Sequence, residues 1–383
     1  MRKSSWWALI LWFVAFAGGM VPPGPTPASA LPGPPAITAT AAVLMDARTG
    51  QVLYERAPRL RWPPASTTKI LTAILVREHL PLDREVPIST RASAQRSGSA
   101  IGLEAGERWR VRDLLYALLL NSANDAAVAL AEAASGSVEA FARLMNAKAR
   151  ALGARDSHFV VPHGLYHPDH YSTAYDLALI ARYALRDPIL AEIFRTQRWT
   201  LNRPGGGVRV LENRNRLLRI YPGADGVKTG WITQSGQCLV ASATRGNWQL
   251  IAAVLNSSDI YADASRLLDY GFQHFTLVKV AAKGQILGRR FIEGQRLEAI
   301  TPEDVYAVLP RGEQATVRLS FREDLSLPIR AGTPVGEVAY LAGGRVVART
   351  PLVAREDVSR PGLRAKLWQW LLRLFPLRPP SKS

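Results

Sequence analysis

The sequence predicts an α+β protein, with an antiparallel sheet covered by helices, then a small all-β sandwich, then a C-terminal amphipathic helix. Three observations carry this expectation. Strand-like runs occur at both ends of the segment 41–255, with helical patterns between them. Short β-like runs separated by Pro- and Gly-containing turns occupy 276–349. Beyond them, Leu363, Leu367, Trp368, Trp370, Leu371, Leu372, Leu374 and Phe375 fill one broad helical arc, with Lys366, Gln369 and Arg373 opposite and Arg364 breaking the arc.

Composition narrows the classes. At 383 residues the chain exceeds one typical domain and has apolar content for a sizeable core. With 48 basic against 31 acidic residues it carries a net charge of +17, which favours anionic neighbours such as lipid headgroups or wall polymers. No nucleic-acid-binding motif accompanies the charge, so no nucleic-acid partner is expected. The single cysteine, Cys238, excludes an intramolecular disulfide and reads as a buried structural thiol in the run Cys238-Leu239-Val240-Ala241.

Taken in order, the chain begins with Arg2 and Lys3, an apolar run from Trp6 to Phe16 broken by Gly18-Gly19, and the small-x-small site Ala28-Ser29-Ala30. Residues 1–30 read as a secretory signal, with an uncleaved anchor as the other reading. From Ala41 to Glu55, two apolar runs around Asp46-Ala47-Arg48-Thr49-Gly50 predict a hairpin. Ser66-Thr67-Thr68-Lys69 then opens a helix that is apolar on nearly every side and ends near His79. Small polar residues between Ser89 and Gly106 suggest exposed turns. Val111–Ala134 reads as helix, turn, helix, interrupted by Asn121-Ser122-Ala123-Asn124-Asp125. Phe141–Leu152 and Asp176–Leu185 read as further helices, and Phe159–Thr173 as a loop. Strands are expected from Gly226, over Gln237–Thr244 and over Gln249–Leu255, with a closing helix over Asp263–Phe275. The later β-like runs are Thr276–Ala282, Asp304–Leu309, Gln314–Phe321, Pro334–Leu341 and Arg345–Arg349.

The chemistry begins at Ser66 and Lys69. Residues three apart share a helix face, so the amine can reach the hydroxyl. The helix dipole and burial both disfavour an ammonium in the first turn and push the amine toward the neutral form that activates a serine. The plain alternative is that Ser66 caps the helix while Lys69 snorkels. Ser122 and Asn124 either cap the junction of two helices or present a hydroxyl and a carboxamide to a cleft. His163, His167 and His170 invite a zinc reading, but Pro162, Gly164 and Pro168 leave no helix face to align the rings, so neither a metal nor another cofactor is expected.

Three motifs stand in order: S-T-T-K at Ser66, S-A-N at Ser122 and K-T-G at Lys228, Thr229 and Gly230. With the flanking stretches MDARTGQVLYE, ASTTKILTA, NSANDAAVALAE, HYSTAYDLALIA and YPGADGVKTG, the chain from about Ile37 onward resembles the low-molecular-weight D-alanyl-D-alanine carboxypeptidases, serine peptidases of the penicillin-binding class. The resemblance implies a β-lactamase/transpeptidase-like fold. It also implies that Ser66 is acylated, that Lys69 is its base, and that Ser122, Asn124 and Lys69 relay a proton to the leaving amine. Lys228 and Thr229 would hold the substrate carboxylate, and the backbone N–H groups of Ser66 and Trp231 would bind the oxyanion. Val161 stands where the family usually has Asn, and Trp231 is bulkier than the family's usual residue.

The expected organisation is a signal peptide 1–30, a serine D,D-peptidase domain 31–275, a β-sandwich 276–357 and a membrane-surface segment 358–383. The expected partners are peptidoglycan stem peptides ending in D-Ala-D-Ala, β-lactams as inhibitors and, through the basic C-terminal helix, an anionic membrane surface. The protein is therefore expected outside the cytoplasmic membrane, in the cell-wall space. Two other readings compete. A class A β-lactamase deacylates with glutamate in E-x-x-x-N, a pattern absent at Glu132, Glu139, Glu192 and Glu212. A silent wall-binding scaffold has no need for Ser66, Lys69, Ser122, Asn124 and Lys228 together.

Overall fold

The central sheet forms from runs that are apolar on both faces. A computed structural model describes residues 33–360 and 362, so the expected signal segment and the expected amphipathic helix from Leu363 lie outside the described residues. Strands β1 (Ala41–Asp46) and β2 (Val52–Arg56) make the N-terminal hairpin, and β7 (Ala224–Ile232), β8 (Gly236–Arg245) and β9 (Trp248–Ser257) complete an antiparallel sheet in the order β2-β1-β9-β8-β7. The first strand thus pairs with the last of the set, Val43 opposite Ala253. Between them the chain builds α1 (Lys69–His79), β3 (Glu85–Pro87), α2 (Thr90–Ala94), β4 (Arg108–Arg110), α3 (Val111–Leu119), α4 (Asn124–Ser135), α5 (Val138–Ala151), α6 (Ala174–Ala184), α7 (Pro188–Arg195), the hairpin β5 (Arg198–Asn202) and β6 (Val208–Glu212), and the short α8 (Leu217–Ile220). The closing helix is α9 (Ile260–His274).

Alternation along each strand separates two cores. Val43, Met45, Val240 and Ala253 face α1 and the other intervening helices, whereas Leu44, Leu239, Ala252 and Val254 face Ala264, Leu267, Leu268 and Phe272 of α9. At 25 cal/mol per Å² of apolar surface, such two-sided burial stabilises these strands by roughly 1.5–3 kcal/mol per large side chain. α1 runs through the first core, with every residue from Lys69 to Val76 buried and only its last turn reaching the surface. Asp263 ties the chain start to α9, because its carboxylate accepts the Thr38 and Ala39 N–H groups and the Ser257 hydroxyl.

The C-terminal third is all-β. Strands β11 (Ile286–Ile292), β12 (Gln295–Ile300), β14 (Thr316–Phe321), β15 (Pro334–Ala342) and β16 (Arg345–Ala354) form a five-stranded sheet, and β10 (Phe275–Ala281) pairs with β13 (Val305–Pro310). Gln51 joins this part to the N-terminal hairpin, its amide donating to the Val308 carbonyl at 3.0 Å and accepting the Val308 N–H at 3.1 Å. Among the described residues no helix is long and apolar enough to cross a membrane.

The α+β expectation is borne out, with three differences. The stretch 89–106 is not merely exposed turns: Ser89 caps α2 by accepting the Ala92 N–H, and Ile101 and Leu103 are buried. The helix α7 and the hairpin β5–β6 have no counterpart in the sequence reading; the two strands are five residues each and bury one residue apiece, Leu201 and Leu211. The hairpin of β11 and β12 was equally hidden by its mixture of Arg, Gly and apolar residues.

Candidate active site

A cleft of about 530 Å³ opens where β7, the start of α1, the α3–α4 junction and the loop after α5 meet, and its walls include Ser66, Ser122, Asn124, Thr229, Gly230 and Trp231. Ser66 sits in a 3₁₀ turn, Ala65–Thr68, immediately before α1. Its side chain caps nothing, since neither this turn nor α1 has a side-chain cap. Lys69 does not snorkel either, being fully buried.

The Lys69 amine has three neighbours: the Asn124 carboxamide oxygen at 2.7 Å, the His163 carbonyl at 2.6 Å and the Ser66 hydroxyl at 2.9 Å. Burial, reinforced by repulsion from Lys228 and Arg214, drives its pKa well below the usual lysine value. A neutral amine has two N–H groups and one lone pair. The two oxygens that can only accept take the two N–H groups, and the lone pair faces the Ser66 hydroxyl. That arrangement can remove the serine proton.

Ser122 and Asn124 are not caps, because Ala123 is the N-cap residue of α4 and no side chain closes that end. Ser122 adopts a left-handed backbone, φ 64°, a conformation costly for a residue with a Cβ and common where a site must aim a side chain. Asn124 is held by its own amide, which donates to the Ser97 carbonyl at 2.7 Å. Its neighbour Asp125, which sequence reasoning missed as a site residue, accepts the N–H groups of Ile101, Gly102 and Leu103 at 2.8–3.1 Å. This buried carboxylate holds the wall loop that carries Gly98 and Ser99. The motif Asn-Asp at a helix start was the available signal, but its partners lie over twenty residues away.

On the opposite wall, Lys228 is buried and donates to the Thr229 carbonyl at 2.9 Å. Burial, then the Arg214 charge, pushes its pKa down to about 7. Arg214, also unforeseen, lines the cleft and reaches the Ser99 hydroxyl. Gly230 brings β7 against the serine turn: a Cβ there would lie 3.0 Å from the Ser66 nitrogen and 3.1 Å from both Ala65 Cβ and the Pro64 carbonyl. Trp231 stands 66% exposed at the rim.

Of the three histidines, His170 and His163 are buried behind the wall, whereas His167 is partly exposed and accepts the Asp169 N–H. His170 Nδ1 accepts the Val160 N–H, so its proton is on Nε2, which donates to the Thr68 hydroxyl at 2.9 Å; that hydroxyl in turn donates to the Ala65 carbonyl. His163 Nδ1 accepts the Leu165 N–H. Burial lowers both rings to about 3 and keeps them neutral. Cys238 is buried and its thiol is pushed up to about 11, far from thiolate chemistry.

A sheet flanked by helices on both faces, with a serine and a buried lysine of lowered pKa at the head of the central helix, defines an enzyme of the serine-peptidase class. Residues 28–259 match the family model described as D-alanyl-D-alanine carboxypeptidase, and 275–360 match that of the penicillin-binding protein 5 C-terminal domain. Similar proteins include the D-alanyl-D-alanine carboxypeptidase DacF of Bacillus subtilis (strain 168), 34% identical over 85% of this chain and 87% of that protein. DacA of Escherichia coli (strain K12) is 32% identical over 90% of each. Among solved structures, penicillin binding protein 5 from Haemophilus influenzae superposes with a TM-score of 0.78 at 30% identity, covering 86% of this chain and 99% of that one. The chain belongs to the D-alanyl-D-alanine carboxypeptidase family.

Proposed function

We propose that this protein is a serine-type D-alanyl-D-alanine carboxypeptidase that removes the terminal D-Ala from peptidoglycan stem pentapeptides through an acyl-enzyme on Ser66, and that β-lactams acylate the same serine. The observation that carries this reading is the buried Lys69 amine, held by the Asn124 carboxamide oxygen and the His163 carbonyl at 2.9 Å from the Ser66 hydroxyl.

The Ser66 oxygen attacks the carbonyl between the two D-Ala residues as its proton passes to Lys69. The developing oxyanion is received by the backbone N–H groups of Ser66 and Trp231, brought together by the close passage of Gly230. The Ser122 hydroxyl stands in the same cleft to hand a proton to the departing D-Ala nitrogen, while Asn124 keeps Lys69 aligned. Lys228, when protonated, and Thr229 bind the terminal carboxylate. Water then attacks the acyl-enzyme along the same path. The cleft walls among the described residues carry hydroxyls, amides, one guanidinium and apolar groups but no carboxylate, so the glutamate-driven deacylation of a class A β-lactamase lacks its residue.

The test is labelling of the protein with a fluorescent penicillin and mass mapping of the adduct. A stable adduct on Ser66, absent from Ser66→Ala together with D-Ala release from pentapeptide, is expected. Release of D-Ala by Ser66→Ala would sink the assignment.

We further infer that the catalytic domain spans 31–275, that 276–357 is a β-module and that 358–383 docks on the outer face of the cytoplasmic membrane. From Ser359 the tail has basic residues and no acidic one, each worth on the order of 1 kcal/mol near an anionic surface. Deleting 363–383 should release the protein from anionic vesicles while D-Ala release continues; undiminished vesicle binding would refute membrane docking through the tail.

A further inference from the structure

At the end of the central sheet remote from Trp231, a pocket of about 400 Å³ lies between the β1–β2 turn, the C-terminal end of α6 and the β8–β9 turn, beside Leu277 of β10. Three arginines line it: Arg48, Arg182 and Arg186. Two of them are held in place. Arg182 donates from Nε to the Ala47 carbonyl at 2.9 Å and from Nη2 to the Arg48 carbonyl at 2.6 Å. Its guanidinium lies under Gly50, where a Cβ would come within 3.1 Å of it, so the turn has closed around an arginine. Arg48 lies over the Tyr306 ring, 4.0 Å from its centroid.

None of the three guanidiniums forms an ion pair among the described residues, whereas Arg77 pairs with Asp187 and Lys279 with Asp304. Three of the carboxylates nearby are already engaged, while Glu303 lines an adjoining pocket with Arg48. Asp46 accepts from Thr49 and from the Trp248 indole, Asp187 from Arg77 and the first turn of α7, and Asp304 from Lys279. The remaining polar groups on the pocket wall are the amides of Asn247 and Gln249. Burial, then repulsion from Arg186, lowers the pKa of Arg182 from its ordinary value, with Asp46 acting in the opposite direction.

We propose that Arg48, Arg182 and Arg186 form a binding site for a phosphate group, separate from the catalytic cleft. The guanidiniums of Arg48 and Arg186, with the embedded charge of Arg182 whose Nε and Nη2 are held by carbonyls, offer more donors than the two oxygens of a carboxylate need and suit the three or four of a phosphate. The phosphate comes either free or as the diester of a headgroup. Because the pocket lies at the opposite end of β7–β9 from Gln237 and Trp231, its occupant leaves the cleft open.

The experiment is calorimetric titration of the full chain, at fixed ionic strength, with inorganic phosphate and with glycerophosphoglycerol, a soluble phosphodiester headgroup. The double variant Arg48→Gln/Arg186→Gln, which removes two exposed side chains and spares the embedded Arg182, should bind about tenfold or more weakly. Arg186→Glu, at a side chain that makes no hydrogen bond among the described residues, should weaken binding similarly. Penicillin labelling should proceed unchanged in both, which reports intact folding. Tighter binding of phosphate identifies the free anion as the occupant, and tighter binding of the diester identifies the headgroup. Equal affinity in wild type and both variants, or no binding of either anion by wild type at on the order of 10 mM, would overturn the site.

Discussion

Replacing Lys69 by arginine should leave a folded protein that acylates about 100- to 10,000-fold more slowly, the range that a positioned general base supplies. The guanidinium keeps its charge at all working pH and so has no lone pair for the Ser66 proton. In the wild type the same requirement sets the acid limb of kcat/KM. Lys69 must be neutral in the free enzyme, and its folded pKa lies below the ordinary lysine value, so activity falls as the pH drops through that lowered pKa. The alkaline limb has the opposite sign. Lys228 must be charged to meet the substrate carboxylate, and its pKa of about 7 in the free enzyme makes kcat/KM decline above about pH 7. A penicillin acylation rate that is insensitive to Lys69→Arg, or that shows no fall on the acid side, contradicts the assignment.

Gly230→Ala should lower acylation about 100- to 1,000-fold, the cost of losing one oxyanion donor, with little change in circular dichroism. The methyl group would meet the Ser66 nitrogen at 3.0 Å and the Pro64 carbonyl at 3.1 Å, both backbone atoms that cannot swing aside. β7 must therefore move off the serine turn, and the two N–H groups separate. Single-turnover penicillin labelling measures this directly. A wild-type rate in Gly230→Ala would show that the donors are not set by this approach.

Much of the site was legible because its signals are local. Ser66 and Lys69 are three residues apart at the head of an apolar helix, and the helix geometry itself brings amine to hydroxyl. The hairpin of β1 and β2 and the strands β7 to β9 announced themselves by apolar runs ending at turn residues. The interruption between α3 and α4 stood out because polar residues there break two apolar runs. By contrast, β5 and β6 present Arg, Thr, Asn and Val to solvent on one side, and their alternation lasts only five residues with a single buried residue in each, too short to stand out.

The sequence by itself determined the three motifs, the family they belong to and the order of the strongly periodic elements, since residue periodicity records which face of each element turns inward. It did not determine what meets that face. Whether Ser66 capped a helix or faced a base was decided by Asn124, 55 residues from Lys69, and by the His163 carbonyl, 94 residues away, which take the amine's two N–H groups. Asp125 became the holder of a cleft wall, and Arg48, Arg182 and Arg186 became neighbours, only when separate elements packed. Such contacts join groups remote in sequence, and their geometry exists only once the chain has closed around them.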